Sequence, residues 1–163
     1  MRPNIRERRH RLPLSNYKGI RIVSFTACVR DRAPLFTSTN VVDACSLHLM
    51  DALERHQSDA LLYLFMPDHA HILLRGNSDQ ADVRKAMVRF KYLSGCWLDS
   101  TTSPYRWQKD FYDHILRHDD DVIRHMRYIV NNPVRAGIVE RWKDYPYKGS
   151  TVYNLDEWDD VVG

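Results

Sequence analysis

The chain has 163 residues, 44% of them hydrophobic and 28% charged, with a formal net charge of +3. That length fits one domain with its own core, and the composition excludes collagen-like, coiled-coil and wholly disordered classes. No apolar run reaches the roughly 20 residues of a membrane span, and the start, MRPNIRERRHRLPL, lacks the apolar core of a secretory signal.

The first segment is a basic arm, residues 1–18. Over residues 1–32 nine Lys/Arg, among them Arg6, Arg8, Arg9 and Arg11, face only Glu7 and Asp31. Such an arm fits a polyanion partner, since each phosphate it neutralises releases counterions. A solvated terminus explains the same charge equally well.

The β-branched, alternating stretch Ile20–Arg30 predicts a strand. After Pro34, Ser38–Asn40 offers a helix N-cap, and Val42, Cys45, Leu49 and Leu53 recur at helical spacing. The apolar run from Ala60 to Gly76 is interrupted by Pro67, which cannot donate to a ladder. It therefore divides into strands Ala60–Met66 and His69–Arg75. A helix over Asp79–Trp97, capped by Ser78, places Val83, Ala86, Met87, Phe90, Leu93 and Trp97 on one face. Arg84, Lys85, Arg89 and Lys91 lie elsewhere on that wheel. With Tyr92 they could form a nucleic-acid face, or simply a solvated one.

A loop at Thr101–Pro104 leads to a predicted strand, Arg106–Arg117. Asp119, Asp120 and Asp121 then suit a helix N-terminus, with Val122, Met126 and Ile129 inward and a stop before Pro133. The order β-α-β-β-α-β-α predicts an α+β fold of the ferredoxin-like split βαβ kind. It would be an antiparallel sheet with helices on one face, plus an extra C-terminal helix. We expect one domain over 1–163, with a mostly irregular tail from 133. Three widely spaced cysteines argue against a disulfide scaffold and for a reducing cytoplasm.

Two constellations carry chemistry. His69 and His71 are two apart on a strand, so both imidazoles leave the same face. Apolar flanks mark that strand as central, where paired imidazoles need partners and a metal ion would suit them. Tyr128 and Asn132 are helical neighbours four apart. A phenol can be a nucleophile, and an amide oxygen can ligate a hard cation. An exposed Tyr and a helix-ending Asn would look the same. His125 lies one turn before Tyr128, and His114 faces either this site or the core; both are auxiliary candidates.

MPDHAHILL, WQKDFYDHILR and YIVNNPVRAGIVERWKDYPYKGS, together with RERRHRLPLSNYKG and FTACVRDRAPLF, resemble the single-tyrosine HUH transposases of bacterial insertion sequences. The likeness is greatest to their REP-associated branch and runs over nearly the whole chain. It implies a metal-dependent endonuclease and strand transferase acting on single-stranded hairpin DNA through a 5′-phosphotyrosine. Tyr128 matches the nucleophile, on the extra helix. His69, His71 and Asn132 match the metal ligands, with Asn in place of the Gln of insertion-sequence members and Asn131 as the adjacent alternative, further round the wheel. The divalent ion would be Mg²⁺ or Mn²⁺, the state a monomer or homodimer, and no membrane is involved. A non-catalytic hairpin DNA- or RNA-binding module of the same fold is the alternative. A water-activating metal hydrolase is a third, lesser reading.

Overall fold

The structure, a computed structural model, describes residues 13–158. Arg6, Arg8, Arg9 and Arg11 of the expected DNA-binding arm lie outside the described residues. The chain runs β1 (Ile22–Cys28), α1 (Thr39–Arg55), β2 (Ser58–Met66), β3 (His69–Gly76), α2 (Val83–Ser100), β4 (Tyr112–Leu116), α3 (Asp119–Val130), α4 (Asn132–Arg135) and β5 (Lys148–Gly149). One antiparallel sheet forms in the order β4-β1-β3-β2-β5, so the histidine strand is central, as its apolar flanks predict. No helix among the described residues is long and apolar enough to cross a membrane.

Both faces of the sheet are covered. On one, α1 and α2 pack Val42, Cys45, Leu49, Met87 and Phe90 against Phe25, Phe65, Ile72 and Leu74 of the strands. On the other, Val122, Met126 and Ile129 of α3 and Trp142 of the tail cover Leu62, Leu64 and Leu73. Double coverage is why Leu61-Leu62 and Leu64-Phe65-Met66 read as a continuous apolar run rather than an alternation. The extra helix thus takes the face that the split βαβ core leaves open, and the tail adds the edge strand β5 beside β2, which periodicity did not predict.

Two boundaries differ from expectation, and the end of α3 before Pro133 agrees with it, for identifiable reasons. Helix α2 begins at Val83, and its cap is Asp82, whose carboxylate accepts the Lys85 amide at 2.9 Å. Ser78 cannot start it, because the Ala81 carbonyl is taken by the Gly19 amide and the Asp82 amide by the His56 carbonyl. This seam is tight: a Cβ on Gly76 would lie 2.0 Å from the Gly19 carbonyl oxygen. Strand β4 is only Tyr112–Leu116, although Trp107 bridges Val29 ahead of it. Between them the Lys91 ammonium donates to three successive carbonyls, Gln108, Lys109 and Asp110, at 2.7–3.1 Å. A strand points successive carbonyls in opposite directions, so this convergence excludes ladder geometry. Finally, α3 stops at Val130 and Asn131 caps it; Asn132 opens the short α4, with Pro133 in its first turn, where its missing N–H is harmless.

Candidate active site

Strand alternation puts His69, His71 and Leu73 on the α3 face and Ala70, Ile72 and Leu74 on the α1/α2 face. The β1–β3 register sets Thr26 opposite His71, and the Pro67-Asp68 turn sets a carboxylate beside His69. Each imidazole is therefore anchored through Nδ1, at 2.6 Å to Asp68 Oδ1 and at 3.2 Å to Thr26 Oγ1. A carboxylate only accepts, so His69 carries its proton on Nδ1 and aims the Nε2 lone pair outward. Asp68 is itself held by Arg32 at 3.1 Å. Asp31 and Arg32 both adopt left-handed backbone, φ 58° and 56°, a strained conformation for side chains of this size.

The two Nε2 atoms stand 3.2 Å apart, and the Asn132 amide reaches both, at 2.7 Å to His71 and 3.4 Å to His69. Burial chiefly, then the neighbouring His69, His125, Arg135 and Arg32, pushes the His71 pKa down to about 3. Burial likewise lowers that of His69 against the opposing pull of Asp68. Both rings are thus neutral near pH 7. With the His71 proton also on Nδ1, as a metal ligand requires, two lone pairs aim at one point and repel unless a donor or a cation stands between them. The Asn132 N–H₂ fills that role here, and turning the amide over puts its Oδ1 in the same place.

This donor set suits a divalent cation: two neutral imidazoles with their far nitrogens fixed, and one amide. Among the described residues no third His, Cys, Asp or Glu joins them. Coordination positions would remain for substrate oxygens and water. Asn131 does not compete, because its side chain donates to the Arg127 carbonyl.

Tyr128 projects from α3 and is 56% exposed, one turn before Asn132. Its ring stacks on His125 (centroids 6.3 Å, planes 22° apart), and the Arg135 guanidinium lies over it, 4.0 Å from the centroid. His125 Nε2 is 2.6 Å from Ser24 Oγ and its ring 6.4 Å from that of His114. His114 is therefore on the site face, the point its sequence left open. Burial, reinforced by the His114 charge, keeps the His125 pKa low. An open groove of about 490 Å³ runs between β4 and α3 beside Tyr128, lined chiefly by His114, Arg117, His118, Arg124 and His125.

Tyr128, His69, His71, Asn132, His125 and His114 thus occupy one face. Arg84, Lys85, Arg89 and Lys91 belong to α2, across the sheet. There Arg89 pairs with Asp51 at 2.7 Å and Lys91 clamps the loop before β4. Sequence reading missed Thr26, Ser24, Asp68, Arg32 and Arg135. Asp68 could have been flagged by its adjacency to His69. Arg135 follows Tyr128 at i+7, a helical spacing that Pro133 obscured, and the others come from register or tertiary approach and leave no sequence signal.

The profile of the family described as "Transposase IS200 like" matches residues 21–132. A Haemophilus influenzae protein named as a REP-associated tyrosine transposase is 28% identical over 134 residues, 76% of each chain. The REP-associated tyrosine transposase of Escherichia coli K12 is 28% identical over 87 residues, 52% of this chain and 50% of its own. A solved structure of a REP-associated tyrosine transposase bound to a REP hairpin superposes with a TM-score of 0.69 at 21% identity. It covers 81% of this chain and 78% of that one.

Proposed function

The chain belongs to the IS200-like transposase family, and from that premise we propose that it cleaves and rejoins hairpin-bearing, REP-like single-stranded DNA with Tyr128 as nucleophile. The observation that carries this reading is the convergence of His69 Nε2, His71 Nε2 and the Asn132 amide within 3.4 Å, one helical turn from an exposed tyrosine. The hairpin-bound relative of the same fold supports the choice of DNA.

A divalent cation held by His69, His71 and the Asn132 carbonyl oxygen would withdraw charge from the scissile phosphate and make phosphorus more electrophilic. Mn²⁺ suits two imidazoles at least as well as Mg²⁺, which prefers oxygen ligands. Asp68 and Thr26 fix the ring orientations, so the ligand geometry is built before DNA arrives.

In the cleavage step the Tyr128 Oη forms a bond to phosphorus as the bond from phosphorus to O3′ breaks. The phenol loses its proton and the departing O3′ gains one, leaving a 5′-phosphotyrosine and a free 3′-OH. His125, whose ring lies along that of Tyr128 and whose Nε2 is held by Ser24 Oγ, helps to orient the phenol. The link stores the phosphodiester's energy, so an incoming 3′-OH can reverse the step and join strands without a nucleotide cofactor. The groove lined by His114, Arg117 and His118 offers a cation and planar rings to the strand beside the cut.

The test is incubation of wild type and Tyr128→Phe with labelled hairpin DNA from the chain's own genomic neighbourhood, with Mn²⁺ or EDTA, read on denaturing gels. We expect a covalent adduct from wild type with Mn²⁺, and none from Tyr128→Phe or under EDTA. Cleavage that survives Tyr128→Phe refutes the mechanism. Hairpin binding with no adduct in any condition converts the reading to a non-catalytic binding module.

A further inference from the structure

Arg135 has no part in the ligand set or in the core, yet it sits on the nucleophile. Tyr128, Asn132 and Arg135 follow at i, i+4 and i+7. Although α3 ends at Val130, backbone hydrogen bonds from Arg135 to the Asn131 carbonyl and from Ala136 to the Asn132 carbonyl continue helical geometry past Pro133. The three side chains therefore share one ridge. The guanidinium lies 4.0 Å from the Tyr128 ring centroid, and its charge is felt at the His71 ring.

Six of the other arginines around the fold are already paired, although Arg117 in the groove is not among them. Arg32, Arg75, Arg89, Arg106, Arg124 and Arg141 each pair with a carboxylate. Arg135 is exposed and makes no ion pair among the described residues. A contact to a ring face uses the cation's charge and leaves its N–H groups unspent. An arginine can hold a ring and still offer a planar fork to a phosphate; a lysine offers only a point charge.

We propose that Arg135 grips the phosphate that Tyr128 attacks, steadying the phenol ring beneath it while donating hydrogen bonds to the non-bridging oxygens. This deepens the reading of Tyr128 as nucleophile and rests on it. Arg135 would be a second positive group at the reaction centre, on the nucleophile's side of the phosphorus. As Oη closes on phosphorus, charge builds on those oxygens, and donors already in place stabilise it without reorganisation.

The test is single-turnover cleavage by wild type, Arg135→Ala, Arg135→Lys and Tyr128→Phe in Mn²⁺. Each is given a normal strand and one with a neutral methylphosphonate at the scissile position. Arg135→Ala should cleave the normal strand about 100-fold more slowly, with hairpin affinity and thermal melting unchanged. Arg135→Lys should recover part of the rate, and guanidinium ion in the buffer should partly rescue Arg135→Ala. On the neutral strand the difference between wild type and Arg135→Ala should collapse, because less charge remains to be met. A wild-type rate from Arg135→Ala while Tyr128→Phe is inactive overturns this inference and leaves the nucleophile standing. Equal losses on both strands without guanidinium rescue, or a loss confined to binding, also overturn it. Cleavage by Tyr128→Phe overturns both readings.

Discussion

Acidification should destabilise the metal-free protein through His71, and the size of the effect follows from its surroundings. Burial first, then the charges of His69, His125, Arg135 and Arg32, hold its pKa at about 3 in the folded chain, against about 6.5 when unfolded. Between those values the unfolded chain binds a proton that the folded chain refuses. Stability therefore rises with pH through this window, is fully present above about 6.5, and is lost as pH falls toward 3. At pH 5 the unfolded histidine is almost wholly protonated and the folded one almost wholly neutral. The loss relative to pH 8 is about 2 kcal/mol from this residue alone. His69 and His125, both shifted down chiefly by burial, add in the same direction. The assay is urea unfolding of EDTA-treated wild type and His71→Asn at pH 8, 6.5 and 5 at fixed ionic strength. Wild type should lose about 2 kcal/mol more than the variant across that range. Parallel pH profiles would refute the argument, since they would mean His71 protonates as freely folded as unfolded.

Two further outcomes rest on single contacts. Asp68→Ala removes the acceptor that holds His69 through Nδ1 at 2.6 Å, so Mn²⁺ affinity by isothermal titration should fall about 10- to 100-fold with little change in melting temperature. Unchanged affinity would mean Asp68 does not orient the ligand. Lys91→Met leaves the three carbonyls of Gln108, Lys109 and Asp110 without their shared donor, and should cost about 1–3 kcal/mol by urea unfolding. A smaller cost would show that water replaces the ammonium at this loop.

Sequence patterning made much of the fold legible, because each signal is local. Alternation marks β1, helical spacing marks α1 and α3, and Pro67 divides one apolar run into β2 and β3. Where a boundary depends on a distant partner, the pattern fails. Ser78 has the right chemistry for a cap, but Gly19 and His56 occupy the backbone groups that a helix starting there would need. The length of β4 is decided by Lys91, seventeen or more residues earlier, and β5 exists only because β2 has an open edge to pair with.

The site divides in the same way. That His69 and His71 leave one face is a property of strand geometry, and that Tyr128 and Asn132 are neighbours is a property of helical spacing. Both are written in residue order. Which layer that face meets is not. Only the packed structure brings α3 over β3, so that an amide at position 132 reaches two imidazoles more than sixty residues away. Only the β1–β3 register puts Thr26 behind His71, only the packing of α3 on the sheet puts His125 beside Ser24, and only the continuation of helical geometry past Pro133 lays Arg135 on Tyr128. Periodicity reports how a residue faces relative to its own element. The pairing of elements is set by burial of apolar area summed over the whole chain, and no single segment carries that sum.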